Sequence, residues 1–286
     1  MENKNQTGYQ VEVKKAFEQI EVGVKGVFES ENYKNYLKTM SKFHRYSINN
    51  SMLIMMQYPS ATMVTGASKW NNEFHRTIKK GAKAIKILIP HPYKREIVVT
   101  DDEGNETTVE RDFVYFTLGN VFDVEQTEGA EIATLCKELE EDSNEIKELV
   151  EVVSKVSTCP IAYWNLKDGS KGFYSAKENK IVISKNLKSS AQTLKTLIHE
   201  IAHSRLHCVE NDIPRQQKEI EAESIAYVVA NHFGVDTSEY SFEYIASWSR
   251  GKDSKELKGI LTNIQKQAKT LIEEIEAVIT KESEEQ

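Results

Sequence analysis

The five residues His199-Glu200-Ile201-Ala202-His203 decide how the rest of this chain is read. The run around them, residues 194–206, reads as an amphipathic helix. Leu194, Leu197, Ile198 and Ile201 recur at helical spacing, and Ser189 or Ser190 supplies an N-cap. Two imidazoles four residues apart lie on one helix face, about 6 Å apart along the axis. That spacing lets both reach one tetrahedral ion at about 2.0–2.1 Å. Glu200, between them, points to the flank, where it can take a proton from a metal-bound water. The expected metal is Zn2+, the expected catalytic residue Glu200, and His199 and His203 are two of the metal ligands.

A third ligand must come from elsewhere. His207 lies eight residues after His199, about 12 Å further along an unbroken helix, with no glycine to turn the chain back. A second helix, about residues 216–233, carries Glu219, Glu221 and Glu223. Glu221 shares its face with Ile225 and Val228, Glu223 sits beside Tyr227 and Ala230, and Glu219 neighbours Ala222 and Glu223. A carboxylate aimed into a bulky apolar face is costly unless something compensates it. Glu221 is therefore the expected ligand and Glu223 the alternative.

With 286 residues the chain is long enough for two cores. The pattern reads as an α+β fold: an N-terminal domain over residues 1–127, a helical linker over 128–156 and the HExxH domain over 157–250. A C-terminal amphipathic helix over 251–286 follows, with Leu257, Ile260, Leu261, Ile264, Ala268, Leu271, Ile275 and Val278 on one stripe; it docks on a domain or pairs with a partner. No apolar run has membrane-spanning length and no charged-then-apolar leader opens the chain. Cys136, Cys159 and Cys208 are odd in number and lack ligand spacing. The expectation is reduced thiols in a cytoplasmic protein, with Cys208 buried as a small hydrophobe.

The net charge of −7 conceals a segregation. Residues 33–95 hold 12 Lys and Arg against one acid, whereas the remainder holds 25 against 43. Rings are interleaved with these cations: Tyr33, Tyr36, Phe43, Tyr46, Tyr58, Trp70, Phe74 and Tyr93. Single-stranded nucleic acid is held by such a mixture, cations tracking phosphates while rings stack on unpaired bases. No recognition helix or zinc-finger spacing points to duplex. The candidate DNA-contacting set is Arg45, Tyr46, Asn49, Lys69, Trp70, Phe74, Arg76, Lys79, Lys80, Lys83 and Lys86. Within it Trp70, like Phe43 outside it, is also a first candidate for packing, whereas Tyr46, Phe74 and His75 suit a surface.

Residues 11–37 read as one or two helices, and 49–57 as a buried helix rich in methionine, ended by Pro59. Residues 84–89, 96–100, 107–109 and 113–118 read as strands, with a hairpin turn at Asp101-Asp102-Glu103-Gly104-Asn105. The Lys79-Lys80-Gly81 turn before them is a place for backbone to approach a phosphate. Residues 130–156 read as an acidic helix. Residues 172–174 and 180–183 read as a hairpin around Glu178-Asn179, the small sheet along which zinc peptidases align substrate.

These residues carry a resemblance. Tyr46-Ser47-Ile48-Asn49-Asn50 through Gln57-Tyr58-Pro59-Ser60-Ala61-Thr62, then Gly66, Trp70, Ile78-Lys79-Lys80-Gly81, Ile85, Ile87 and Pro90, resemble the N-terminal domain of the ArdC antirestriction family. Val121-Phe122-Asp123-Val124 with Gln126-Thr127 is similar to the end of that domain, so the likeness covers roughly residues 9–127. It implies single-stranded DNA binding in proteins of plasmids and other mobile elements. Gly172-Phe173-Tyr174, the stretch Thr196 to His203, Leu206-His207 and Glu221-Ala222 with Ala226 resemble the zincin-like metallopeptidase domains of ArdC and ImmA/IrrE proteins. By that pattern the ligands are His199, His203 and Glu221. One departure is Ala82, where the family pattern expects glutamate after the glycine.

The expected function is a single-stranded DNA-binding, antirestriction protein of a mobile element with a zinc metallopeptidase-like domain. Two other readings stand beside it. In one, proteolysis of a host or element-encoded protein is the main activity, with DNA as scaffold and His207 or Tyr227 steadying the oxyanion. In the other, the second domain is a metal-stabilised binding module without catalysis.

Overall fold

In the computed structural model of the chain, residues 8–100, 104–132, 139–167, 169–208, 212–240 and 242–285 are described. In chain order the helices are α1 (Gly8–Val27), α2 (Ser30–Lys42), α3 (Ile48–Gln57), α4 (Ala67–Asn72), α5 (Asn144–Lys155), α6 (Ser190–Leu206), α7 (Arg215–His232), α8 (Ile245–Ser249) and α9 (Ser254–Glu284). The strands are β1 (Val64–Thr65), β2 (Arg76–Ile78), β3 (Ile85–Thr100), β4 (Glu106–Asp123), β5 (Thr127–Gly129), β6 (Ile161–Trp164), β7 (Gly172–Ser175) and β8 (Lys180–Ser184). The fold is α+β, and the chain divides into two units: residues 1–23 with 49–131, and residues 24–48 with 132–286.

In the first unit β3 and β4 form one long antiparallel ribbon, from Ile85↔Val121 to Thr100↔Glu106. The sequence reads as four short strands there. The ribbon tolerates Pro90 and Pro92 because β3 is an edge strand. At Lys86 and Leu88 the outward backbone is met by side-chain amides of α3. Asn50 Nδ2 donates to the Leu88 carbonyl (2.9 Å) while its Oδ1 accepts from Leu88 N–H (2.8 Å), and Gln57 treats Lys86 likewise at 2.8 and 2.9 Å. Pro90 and Pro92 share the parity of those outward positions, so neither removes a bond to β4.

The first unit's core gathers Ile20, Met52, Leu53, Ile54, Trp70, Ile85 and Leu88. The methionine-rich α3 is thus core at Met52, although Met56 is exposed. Trp70 Nε1 donates to the Phe122 carbonyl at 2.8 Å, and the buried Asp123 carboxylate accepts from the N–H groups of Thr62, Met63 and Glu125. Asp123 and Gln126 close a capping box on the 3-10 turn that follows β4.

In the second unit β8 is the central strand, parallel to β6 and antiparallel to β7. Ile181, Val182 and Ile183 are fully buried, as a strand covered on both faces requires. Ser189 caps α6 through the Gln192 N–H. In α7 every residue from Ile220 to Ala230 except Glu223 is buried. α9 settles the choice left by its stripe: it packs against α7 and α5, burying Leu261, Ile264, Ala268, Leu271 and Ile275.

Two boundaries differ from those read in the sequence. α2 packs on α7, where Tyr33 Oη and Ser224 Oγ hydrogen-bond at 2.7 Å, so residues 24–48 join the second unit. The interval 128–156 is not one helical linker: Glu128 and Gly129 pair with β2, and helix starts at Asn144, capped by Ser143. Residues 133–138, with Cys136, lie outside the described residues. Cys159 is buried but Cys208 is exposed, contrary to its expected burial.

Candidate metal centre

α6 and α7 pack together, and the site forms along their contact. His199 and His203 stand one turn apart on α6, and their Nε2 atoms converge to 3.0 Å. Opposite them, Oε2 of Glu219 on α7 lies 3.5 Å from His199 Nε2 and 3.6 Å from His203 Nε2. Donor atoms of these three residues all fall within 4.8 Å of one another. A tetrahedral ion held at about 2.0–2.1 Å places its donors about 3.3 Å apart, so this set fits one divalent cation.

The outward nitrogens have close neighbours too. Glu223 Oε2 is 3.0 Å from His199 Nδ1. His203 Nδ1 lies 3.0 Å from His207 Nδ1, and His207 Nε2 lies 3.1 Å from Glu221 Oε2. Glu221 is buried and also accepts from Gln217 Nε2 at 2.9 Å. Burial opposes charging of His199, but its bonds to Glu219 and Glu223 outweigh that and push it up to about 9. The same two imidazoles hold the Glu219 carboxyl well below the usual carboxylate range.

The third acid therefore differs from the one read in the sequence. Glu221 is the carboxylate buried in the apolar face, as its neighbours required, but His207 and Gln217 compensate it rather than the two facing rings. Glu219 faces those rings, and Glu223, one turn on, braces His199. The available signal was the i, i+4 spacing of Glu219 and Glu223, which puts both on one face. His207 has one nitrogen against His203 and the other against Glu221. Tyr227 is buried against Tyr240 and Phe242, so it does not reach the cleft as an oxyanion donor.

Glu200 is buried beside His199 and His203. Burial raises its pKa, opposed by His199 and His203, and its carboxylate accepts the Tyr174 backbone N–H. Tyr174 belongs to β7, an edge strand of the sheet. Gly172 on that strand admits no side chain, since a Cβ there would meet Thr196 Cγ2 and the Val182 carbonyl at 2.9 Å. Two adjoining recesses of about 300 and 460 Å³ share Gly172, His199 and Glu200, and the larger also reaches His203 and Glu219. The arrangement sets two imidazoles, a facing carboxylate, a buried carboxylate and an edge strand around one cleft.

The expected DNA-contacting residues do not all meet. Arg45 and Tyr46 lie in the second unit, where Arg45 pairs with Glu276 at 3.1 Å and the Tyr46 carbonyl accepts from Gln265. Trp70 is fully buried and cannot stack on a base; it is a core residue. Arg76 spends its guanidinium on Thr127, Gly129 and Ala130, stapling β2 to β5. Lys69 pairs with Glu73 and Lys79 donates to the Glu125 carbonyl. Phe74 and Asn49 are half-buried, while Lys80, Lys83 and Lys86 are exposed. Gly81 has φ 87°, and a Cβ there would meet nothing within 4 Å, so this turn needs glycine for its backbone angle alone.

Comparison with known proteins agrees with this architecture. Residues 8–122 match the family model described as the N-terminal domain of anti-restriction factor ArdC. The chain resembles ArdC-type antirestriction proteins in that domain and in its fold. Crystal structures of the antirestriction ArdC protein from the R388 plasmid superpose with TM-score 0.50. The metal-free form is 17% identical and covers 81% of this chain and 85% of that one. The Mn(II)-bound form is 15% identical and covers 82% and 84%. An uncharacterized protein of Bacillus anthracis, pXO2-81, is 26% identical over 84% of this chain; the chain spans about half of that relative's length.

Proposed function

We propose that this chain is an antirestriction protein of a mobile element that binds single-stranded DNA with its first unit and carries a zincin-like, metal-dependent site in its second. The antirestriction role is supported by the match of residues 8–122 to the ArdC N-terminal domain and by the ArdC-like fold. The observation that carries the second half is the convergence of His199, His203 and Glu219 on one point. His199, His203 and Glu219 would hold a divalent ion, with Zn2+ the expected native metal; Mn(II) occupies an ArdC relative. When bound, such an ion supplies Lewis acidity and a more acidic water.

The chain's own residues supply the rest. Glu200, with its raised pKa, accepts a proton at its carboxylate and is oriented by the Tyr174 N–H. β7 offers an extended peptide an unpaired strand edge beside Glu200. This geometry favours peptide hydrolysis over a purely structural metal module, because a structural site needs neither a buried base nor an open cleft. The test is a paired one. Purified wild type and Glu200→Gln should hold equal metal by elemental analysis, and only wild type should cut an unfolded protein substrate. Equal cutting by both removes the catalytic reading. For the first unit, affinity for an oligothymidylate should fall steeply with salt.

A further inference from the structure

The two faces of the β3–β4 ribbon differ in chemistry. Odd-numbered residues share one face: Ile89, His91, Tyr93, Arg95, Ile97 and Val99 on β3 oppose Thr117, Tyr115, Phe113, Arg111, Val109 and Thr107 on β4. Over this stretch the face has no acidic residue, and its two charges, Arg95 and Arg111, sit directly opposite one another. Neither pairs with a carboxylate among the described residues. The even-numbered face carries Glu96, Glu106, Glu110 and Asp112, with Lys94 paired to Glu110 at 2.7 Å.

Beside the arginine pair the odd face carries a continuous row of rings. His91 stacks on Tyr115 (centroids 4.8 Å apart), Tyr93 stacks on Phe113 (5.6 Å), and Tyr93 meets Tyr115 at 5.9 Å. His91 is fixed further by its 2.8 Å hydrogen bond with Thr117. Despite these neighbours Tyr93 is 43% and Tyr115 52% exposed. A contiguous patch of solvent-facing rings marks an interaction surface. A row of rings ending in two cations, with no anion, matches bases followed by phosphates.

We propose that the odd face of this ribbon is a binding surface for single-stranded nucleic acid. Tyr93 and Tyr115 stack on bases, and Arg95 and Arg111 take the phosphates. The proposal rests on the single-strand reading of the first unit, but assigns the binding to residues outside the lysine cluster around Gly81.

Anisotropy of a fluorescein-labelled oligothymidylate with the full chain tests it, using Tyr93→Ala/Tyr115→Ala and Arg95→Gln/Arg111→Gln variants. The double tyrosine variant should bind about tenfold or more weakly, since each missing stack removes several-fold. The tyrosine-to-phenylalanine pair should bind as wild type does. The arginine variant should flatten the plot of log affinity against log salt by about 0.7 for each phosphate no longer neutralised. Circular dichroism melting verifies that the variants are folded. Wild type that fails to bind sinks the single-strand reading itself. Wild type that binds, with both ribbon variants unchanged, overturns the ribbon assignment alone. Weaker binding by the phenylalanine pair overturns stacking, and a ribbon variant that dissolves a homodimer while still binding DNA makes the surface a self-association face.

Discussion

The α6–α7 centre and the basic segment of the first unit place their charges in opposite ways. At the centre each imidazole has a close side-chain partner: His199 has Glu219 and Glu223, His203 has His207, and His207 has Glu221. On the first unit Lys80, Lys83 and Lys86 are exposed, and those cations that do pair, such as Lys69 with Glu73, do so at the surface. A metal needs few donors at fixed distances, so removal of one atom is felt in full. A polyanion is held by many weak interactions, so removal of one cation is shared among the rest. Substitutions should therefore act steeply in one region and shallowly in the other.

The sharpest break of this contrast is Glu219→Gln, expected to reduce metal affinity more than 100-fold in a chelator competition, while Glu223→Gln leaves the ion bound. The 100-fold threshold exceeds what removal of an outer partner alone costs, about 10–100-fold. If Glu221→Gln were the variant to release the ion, the assignment would be wrong. Trp70→Ala empties a fully buried site and should cost about 3–5 kcal/mol in denaturant unfolding of the first unit. Metal affinity should not move with it.

A third test concerns acid. His44 is buried with neither ring nitrogen hydrogen-bonded, and its pKa falls to about 4 through burial and the neighbouring His232, against an opposing Glu276. Its folded pKa lies below the unfolded value, so its contribution is complete above about pH 6.5 and is lost as pH falls toward 4. The loss is on the order of 2–3 kcal/mol. Melting of His44→Leu should be correspondingly less sensitive to pH across that window; an unchanged slope would clear His44. Next in size, Glu221→Gln and His207→Ala should each weaken metal binding about 10–100-fold by loosening His203, with the ion still recoverable at high metal. Smallest is Lys80→Gln, whose effect on oligonucleotide affinity should stay below about tenfold and vanish at high salt.

Much of the centre was legible in the chain because helical periodicity is local. The 3.6-residue repeat alone put His199 and His203 on one face of a helix with Glu200 between them, and it placed a second helix over about residues 216–233. Glu221 shows the limit of the same logic. Its neighbours correctly placed it in an apolar face, yet a face does not specify which group across the helix interface will meet it. The basic segment shows a different limit. A count of charges along the chain cannot tell that Arg76 is spent on carbonyls, that Trp70 is interior, or that Arg45 belongs to the other unit.

What the sequence determined by itself is whatever neighbouring residues settle among themselves: the register of the HExxH helix, its cap at Ser189 or Ser190, the HExxH pair and the segregation of charge. Only the tertiary structure decided which acid faces the two imidazoles, where residues 24–48 belong and that four short strand signals are one ribbon. Those outcomes depend on pairings between distant segments, such as Tyr33 with Ser224 or Asn50 with Leu88. Their free energy exists only once the chain has packed, so no local pattern carries it.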